Sequence, residues 1–425
     1  MASSKVILIG SAVVGLLMIL PSGRAAAEDQ TPAAAAESSI ISQKGAPPSQ
    51  KDLFFSRDRH LLYIALPGTL EGSAYRNGLG IVVLDVDNNY SFVKRITTWD
   101  VPASRDAQQV AGVTASPVTN MIYVAARDRL GAFDLATDKM VWQNSYDGKC
   151  CERPQITPDG KLLVVGSNLR DFWYVVNPMT GKLIAKIQTP LTVAAHNLNL
   201  SPDGKLAFMS STRSKVLSIG DLGSYKTIKT VTFDDAVRPF VLNHDATRIY
   251  ANINNFLGFE VGDVETGKVI ERVEVPGFGW RAKWDDSRRG HTPHNCPGHG
   301  IALIPDEKEL WVVDVLNNYV HVFDNTKENP VLMDSIKTTA WPLWITIGLD
   351  GKFAYISSGD IIDVKTHKII GQMRDEYGRQ LASEKLLDMT FTDGVVQRVS
   401  NQFGNGLESA VSAAAVGASP ATTDR

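Results

Sequence analysis

Short apolar runs, rich in β-branched and aromatic residues, alternate with turn sequences over most of the chain. Examples are KLLVVGS, KLAFMSS, RIYANIN, ELWVVDV and KFAYISS, and none of them belongs to a sustained helical period. Asp-Gly and Thr-Gly pairs separate many of the runs, and these pairs favour hairpin turns because glycine accepts positive φ at little cost. The pattern therefore predicts short antiparallel strands throughout the chain.

A five-residue turn phrase recurs along the chain and defines a repeat. Its copies are TPDGK at 157–161, SPDGK at 201–205, NHDAT at 243–247, IPDEK at 304–308 and GLDGK at 348–352. The Asp positions are spaced by 44, 42, 61 and 44 residues. Such a repeat accommodates four strands, and a ring of four-stranded sheets buries faces that one sheet leaves exposed. Counting repeats that open near 51, 111, 152, 196, 238, 299 and 343 predicts an all-β, seven-bladed β-propeller of four-stranded antiparallel blades.

Two segments carry a resemblance to a known family. MIYVAARDRLGAFDLATDKMV and ELWVVDVLNNYVHVFD resemble the YVTN β-propeller repeats of exported YncE-like bacterial proteins, and the resemblance extends from about Lys51 to Gln402. It implies the propeller fold and export. It implies no particular reaction, because the same scaffold carries binding proteins, lyases, hydrolases and cofactor oxidoreductases.

Both ends of the chain differ from the repeats. Lys5, the apolar run VILIGSAVVGLLMIL and the small residues Ala25-Ala26-Ala27 are typical of a cleaved secretory signal; an uncleaved N-terminal anchor is the alternative. The flanking Ala-, Ser- and Pro-rich segments lack periodicity. The predicted boundaries are a signal peptide at 1–27, a flexible linker at 28–50, the propeller at 51–405 and a disordered tail at 406–425. We expect a periplasmic or secreted protein with no membrane span after cleavage.

Charge and cysteine content argue against a nucleic-acid-binding protein and against a disulfide-rich scaffold. The formal net charge of −3 gives no reason to expect a nucleic-acid partner. Three cysteines, Cys150, Cys151 and Cys296, are too few for a disulfide scaffold. A vicinal disulfide, a Cys151–Cys296 bridge and thiolate ligation of a metal are the alternatives, and a structural disulfide is favoured.

One position of the repeat carries the candidate chemistry. Seven residues before each turn Asp or its counterpart, at the start of the innermost strand, stand Lys51, Ala111, Glu152, His196, Arg238, His299 and Leu343. Because the innermost strands of a propeller surround one channel, the four polar residues from Glu152 to His299 are predicted at the same mouth. Glu152, His196 and His299 suit a divalent transition metal. Alternatively, His299 or His196 acts as a general base with Arg238 as electrophilic partner, or all four are merely solvated lining.

The longest repeat contains an extra segment, GFGWRAKWDDSRRGHTPHNCPGHG, from Gly277 to Gly300. It precedes an innermost strand, so we expect it to cover the top face as a lid. Trp280, Arg281 and Trp284 are its predicted ligand contacts, together with Glu152 of the ring. The His and Cys residues of the loop follow no zinc-binding spacing.

The sequence thus predicts an exported propeller with a small-molecule or metal-binding site on its top face. A metal-assisted lyase or hydrolase is the enzymatic form of this hypothesis. The alternative is a non-catalytic periplasmic recognition or scaffold module for a protein or glycan, which the Trp and Arg residues of the lid would serve equally well. A haem or quinone cofactor is disfavoured because no C-x-x-C-H occurs. The remaining histidines, predicted to be structural, are His60, His244, His321 and His367.

Overall fold

The computed structural model describes residues 58–67, 78–99, 110–147, 150–168, 170–189, 194–278 and 296–401. All described residues belong to one compact unit, Phe54–Arg425. Every regular element in the described ranges is a β-strand, which confirms the all-β prediction. The described part of the chain therefore has no helix long and apolar enough to cross a membrane. The predicted signal peptide, linker and disordered tail lie outside the described residues.

The strands follow one another in antiparallel groups, as the repeat predicts. The first groups are β1 (Asp58–Ala65), β2 (Ile81–Asp85) and β3 (Ser91–Ile96); β4 (Val110–Ser116), β5 (Met121–Ala126), β6 (Arg129–Asp134) and β7 (Met140–Asn144); and β8 (Glu152–Ile156), β9 (Leu163–Gly166), β10 (Phe172–Val176) and β11 (Leu183–Gln188). The next are β12 (Ala195–Leu200), β13 (Leu206–Ser211), β14 (Val216–Asp221) and β15 (Lys226–Thr232); and β16 (Val237–Leu242), β17 (Arg248–Ile253), β18 (Gly258–Asp263) and β19 (Lys268–Glu274). The last are β20 (Ile301–Leu303), β21 (Glu309–Asp314), β22 (Tyr319–Asp324) and β23 (Val331–Lys337); β24 (Ile345–Ile347), β25 (Phe353–Ile356), β26 (Asp360–Asp363) and β27 (Lys368–Gln372); and β28 (Leu386–Thr392) and β29 (Val395–Val399).

Two of these groups are linked into one sheet of eight strands. Strands β12–β15 and β16–β19 each pair antiparallel within the group, and a single parallel pair, Thr232 with Lys268, joins β15 to β19. The groups β4–β7, β8–β11, β20–β23 and β24–β27 are separate four-stranded sheets. The dominant unit is therefore a four-stranded antiparallel sheet.

The core lies between neighbouring groups. The first strand of a typical group, such as β12, is buried along its whole length, whereas the fourth strand, such as β15, is mostly exposed or half-buried. Phe208, Phe233 and Phe240, from adjacent groups, meet in one buried cluster. Burying each such side chain stabilises the fold by roughly 1.5–3 kcal/mol. Strands covered on both faces explain why the apolar runs of the sequence are continuous.

The recurrent phrase forms the turn between the first and second strands of a group. In one copy the carboxylate of Asp203 accepts a hydrogen bond from Ser201 Oγ at 2.7 Å and another from the Lys205 amide at 3.1 Å. Gly204, between them, has φ +69°. Asp159 forms the same two bonds in its own turn. We name the turns at 157–161, 201–205, 243–247, 304–308 and 348–352 the lower turns; their residue types follow from a local backbone requirement.

The two ends of the described chain meet in one sheet of order β29-β28-β1-β2-β3. Strands β28 and β29, on either side of Asp393-Gly394, thus pair the two chain ends. Lys51, near which the first blade is predicted to open, lies outside the described residues. The edge of β1 opposite β2 is paired by β28, and Asp58 lies within β1 opposite Thr392. A strand from the other chain end thereby covers an edge that would otherwise be unpaired.

Candidate functional site

The first strands of successive groups lie side by side. Strands β4, β8, β12, β16, β20 and β24 contact one another in that order. Each ends in a lower turn or its equivalent, so all run in the same direction and begin at the same end. Pairing with the second strand is irregular at this beginning in four groups, with shifts after Val110, Glu152, Ala195 and Val237. Such irregularities redirect side chains, and they coincide with the candidate ring position.

Glu152 and His196, from adjacent groups, are brought together. His196 Nε2 lies 3.3 Å from Glu152 Oε1, and only 8% and 14% of the two side chains are exposed. Burial raises the pKa of Glu152, while the cations Arg153 and Lys385 act in the opposite direction. An imidazole beside a carboxyl group of raised pKa is suited to proton transfer near neutral pH.

Arg238, at the start of β16, is fully buried. Its Nη1 donates to the carbonyl oxygen of Thr212 at 3.3 Å, whereas Nε and Nη2 have no hydrogen-bond partner among the described residues. Burial lowers its pKa to about 10; Arg153 adds to this effect, and Glu152 and Glu384 oppose it. The guanidinium therefore stays positive at neutral pH and presents one edge with two donors.

Three further ring positions, His299, Ala111 and Leu343, lie apart from the Glu152–His196 pair. His299, 2% exposed, lies just before β20, and its Nδ1 is 3.4 Å from the carbonyl oxygen of Leu343. Its ring is also tilted against Trp344, with 6.2 Å between centroids. Ala111 and Leu343 are buried apolar residues, as their types imply. The structure thus pairs His196 with Glu152, whereas His299 contacts Leu343 and Trp344 of the next group.

Sequence reasoning missed four residues that complete this arrangement. Arg153, 2% exposed, donates from Nη2 to Glu384 Oε2 at 3.0 Å, and its guanidinium lies 4.1 Å from the centroid of the Trp344 ring. Lys385 Nζ also donates to Glu384 Oε2, at 2.8 Å. Burial raises the pKa of Glu384, but Lys385 and Arg153 outweigh it and hold that pKa below its usual range. The repeated Arg-Pro pair at 153–154 and 238–239 was a usable signal for Arg153.

Glu384 and Lys385 come from the segment before β28, the strand that closes the first sheet. They therefore enter the ring on the side that the sequence had assigned to Lys51. We define the upper mouth by the charged and imidazole residues of this end: Glu152, Arg153, His196, Arg238, His299, Glu384 and Lys385.

The cysteines adopt one of the predicted alternatives. Cys150 and Cys151 form a vicinal disulfide directly before Glu152, and both are fully buried. Cys296 is a free buried thiol that donates to the carbonyl oxygens of Ile253 and Gly298, so the Cys151–Cys296 bridge does not exist. Burial raises the pKa of Cys296 to about 12, which keeps it a thiol at neutral pH.

Much of the predicted lid lies outside the described residues, including Trp280, Arg281 and Trp284. At the start of that segment, Phe278 packs on His321 with 4.5 Å between ring centroids. Among the described residues, no group of three or more His, Cys, Asp or Glu side chains is arranged to hold a metal ion. The metal site of Glu152, His196 and His299 stays a prediction.

The other four histidines each have polar partners. The pairs are His60 with Asp388, His244 with the Pro305 carbonyl, His321 with Asp314 and Ser335, and His367 with Glu309 and Asp334. These contacts agree with a structural role.

A neutral cavity lies at the opposite end of the inner strands. Its lining includes Ser116, Thr157 and Ser201 beside the lower turns, and Asn401 from the chain end. Gln155 Nε2 donates to Asn401 Oδ1 at 3.2 Å across it. No charged residue belongs to its described lining, in contrast to the upper mouth.

Comparisons with known proteins bear on the fold alone. No family model matches the sequence, and no curated protein matches it either. Among solved structures the chain is similar to one from a crystal structure of the mitotic checkpoint complex, with a TM-score of 0.53 and 13% identity over 65% of this chain and 77% of that chain. With the repeated four-stranded antiparallel sheets, this similarity supports a β-propeller.

Proposed function

We propose that this protein is an exported, seven-bladed β-propeller of the YVTN type that binds a small carboxylate at its upper mouth. The binding site is the central part of the proposal. The blade count, the family and export are supported by separate observations.

The blade count follows from the strand groups. The two halves of the eight-stranded sheet share one residue pair, so each half is better regarded as a blade of its own. With the sheet that joins the chain ends, the groups then number seven, as in the sequence repeat. The YVTN family rests on the sequence segments quoted above.

Export rests on the signal-like residues 1–27. The mature protein should begin near Glu28 and occur in the periplasmic or culture fraction. Intact-mass measurement of the exported protein tests this, and retention of Met1 would contradict it.

The observation that carries the binding proposal is the free edge of Arg238. Its Nε and Nη2 point the same way and lack partners among the described residues, although the side chain is fully buried. A buried donor left unsatisfied costs about 1–3 kcal/mol. A carboxylate accepts two parallel hydrogen bonds from such an edge and neutralises its charge.

The surrounding charges favour an anion as well. Arg153, Arg238 and Lys385 face only two carboxylates, Glu152 and Glu384, within the described part of the mouth. Glu384 is already shared between Arg153 and Lys385, at 3.0 and 2.8 Å. An incoming carboxylate would supply the negative charge that this group of cations lacks.

Isothermal titration calorimetry with acetate, pyruvate and inorganic phosphate tests the proposal. Arg238→Gln should weaken carboxylate binding about 10- to 100-fold, the range of a lost charge-assisted hydrogen bond. Arg248→Gln is the matched control, because Arg248 is 40% exposed and paired with Asp263 away from the ring position. Equal affinities in both variants and the wild type would overturn the proposal.

A transition metal is a second candidate, favoured by the 3.3 Å approach of His196 to Glu152. A metal there would support lyase or hydrolase chemistry with the same residues. Metal analysis of untagged protein should then find a stoichiometric ion that the His196→Ala/His299→Ala double variant loses. The structurally similar chain comes from a protein complex, which accords with a third candidate, recognition of a periplasmic protein or glycan through Trp280, Arg281 and Trp284.

A further inference from the structure

We propose that the upper mouth has an occupant within the chain itself. The carboxylate of Glu408, in the segment that follows Asn401, docks on the free edge of Arg238 and competes there with small carboxylates. The inference rests on the proposed carboxylate binding and adds a regulator of the same site. Glu408 lies outside the described residues, and its approach to the mouth is inferred from the direction of β29 and from the charges of the mouth.

The closing strand β29 runs towards the upper mouth. Strand β28 begins directly after Lys385 of that mouth, and β29 pairs with it antiparallel, so the last described residues return in the direction of Lys385. The Ser400 amide donates to the carbonyl oxygen of Asp388 at 2.8 Å, and Ser400 Oγ accepts from the Asp388 amide at 2.8 Å. Asp388 follows Lys385 by three residues, so Ser400 lies about 10 Å from the level of Lys385, at about 3.3 Å of strand rise per residue.

A contact with another strand gives the same position independently. Gln155 Nε2 donates to Asn401 Oδ1 at 3.2 Å, and Gln155 follows Glu152 of the mouth by three residues along β8. Strand β29 is the terminal strand of its sheet, on the side of β28 that lies away from β1, and it contacts the first strand β4 of the next group. The last described residues therefore lie beside the first strands and are directed at the upper mouth.

The sequence beyond Asn401 supplies a carboxylate within reach of the mouth. Residues 402–408 read QFGNGLE, and Glu408 is the first acidic residue among them. Seven residues span up to about 23 Å when extended, about twice the separation of roughly 10 Å between Asn401 and the mouth. Gly404 and Gly406 accept the backbone conformations that a change of direction requires. Glu408 can therefore reach the mouth without full extension of the segment.

The charges of the mouth favour this carboxylate. The three cations outnumber the two carboxylates, and Glu384 is already shared between Arg153 and Lys385, at 3.0 and 2.8 Å. Nε and Nη2 of the fully buried Arg238 have no hydrogen-bond partner among the described residues, and a carboxylate accepts from both. A carboxylate attached by a short segment also has an effective concentration in the millimolar range. It therefore competes well with a free acid that binds weakly.

Calorimetry with acetate tests the competition. Glu408→Gln should bind acetate about threefold or more tightly than the wild type, because the amide keeps the size of the side chain and removes the competing charge. Truncation after Gly406 should give the same gain. In the Arg238→Gln background, Glu408→Gln should make no difference. Asp424→Asn is the matched control, because it removes a carboxylate that is 16 positions farther along the same segment, and it should leave the affinity for acetate unchanged.

A zero-length cross-link reports the docked contact without any added ligand. Arg238→Lys places a primary amine at the proposed docking point, and a water-soluble carbodiimide joins this amine to a carboxylate in contact with it, taking up the water that is released. We expect peptide mass spectrometry to find an amide bond between position 238 and Glu408. Arg248→Lys is the control, because Arg248 is 40% exposed and paired with Asp263, and this variant should give no link to Glu408.

The outcomes separate this inference from the proposed function. Equal acetate affinity in the wild type and Glu408→Gln, an equal gain in Asp424→Asn, or the absence of the link in Arg238→Lys would overturn the inference. If the wild type and the truncated chain bind acetate equally, only the inference is wrong. If neither of them binds acetate or pyruvate, the proposed function itself fails.

Discussion

The two ends of the inner strands differ in how their sequence varies from one repeat to the next. At the lower turns, Asp159, Asp203 and Asp350 each accept a hydrogen bond from the amide two residues later, and a residue of positive φ follows each Asp. At the upper ends, the equivalent residues change from Glu152 to His196 to Arg238. A feature that recurs serves the backbone common to all repeats. A position that differs from repeat to repeat does not serve that shared backbone, which is why the upper ends carry the candidate site.

The ion pairs at the two ends also differ in their environment. Lys205 and Asp203 are 3.2 Å apart, with 78% and 54% of their side chains exposed, so solvent and salt screen the pair. Arg153 and Glu384 are 3.0 Å apart and only 2% and 12% exposed. Removing a partner from such a buried pair leaves an uncompensated charge, which is strongly destabilising.

The largest expected effect comes from breaking the seam between the chain ends. Truncation after Gly371 removes β28, which pairs with β1, and also removes Glu384 and Lys385 from the upper mouth. It should therefore lower the melting temperature sharply or prevent folding, because β1 is left as an open edge. Truncation after Gly406 keeps both strands and should have little effect. Calorimetric melting compares the two, and equal temperatures would refute the role of the seam.

Two isosteric substitutions, one at the upper mouth and one at a lower turn, compare the unfolding free energy that each end contributes. Glu384→Gln should cost about 3 kcal/mol of unfolding free energy, because Arg153 and Lys385 lose a buried counter-charge. Asp203→Asn should cost about 1 kcal/mol, because it weakens only two hydrogen bonds of an exposed turn.

Urea unfolding at low and high salt measures both effects. The cost of Glu384→Gln should persist in 1 M NaCl, where exposed charges are screened over roughly 3 Å. Equal costs for the two variants would remove the energetic distinction between the upper mouth and the lower turns.

Sequence reasoning could predict the features that repeat, because they depend on local chemistry. The turn phrases and the all-β fold were readable from spacing and turn residues. Glu152, His196 and Arg238 were identified because they share a repeat position. Arg153 escaped, because its partners lie about 200 residues away in sequence at Trp344 and Glu384, and no spacing rule encodes contacts across a ring. The vicinal disulfide of Cys150 and Cys151 could be proposed as one alternative but not chosen.

The third prediction concerns how neighbouring lower turns interlock. A Cβ at Gly204, where φ is +69°, would lie 2.8 Å from Cδ of Pro158 in the preceding turn. Gly378 has a similar φ, +74°, and a Cβ there would meet no described atom within 4 Å. Gly204→Ala should therefore cost about 2 kcal/mol and Gly378→Ala about 1 kcal/mol, the second value being the backbone cost alone. If both variants lose the same unfolding free energy in urea, the close contact between the Gly204 turn and Pro158 does not contribute to stability.

The smallest expected effect is a pH dependence at the seam between β1 and β28, where His60 meets a buried carboxylate. His60 Nε2 of β1 donates to Asp388 Oδ1 of β28, whose side chain is fully buried and also accepts from the Leu349 amide at 2.9 Å. Burial alone would lower the pKa of His60, but Asp388, Asp87 and Asp350 outweigh it, and the net pKa is raised above 6.5.

A folded-state pKa above the unfolded value means that the folded protein binds the proton more tightly. The resulting stabilisation is fully present below about pH 6.5, the unfolded value, and is lost as pH rises through the folded pKa. The wild type should therefore exceed His60→Gln in unfolding free energy by more at pH 6 than at pH 9, with a difference below about 1 kcal/mol because the pair is partly exposed. His244→Gln, whose ring contacts the Pro305 carbonyl rather than a carboxylate, is the matched histidine control. Parallel pH profiles for wild type and His60→Gln would show that the protonated imidazole does not hold the seam.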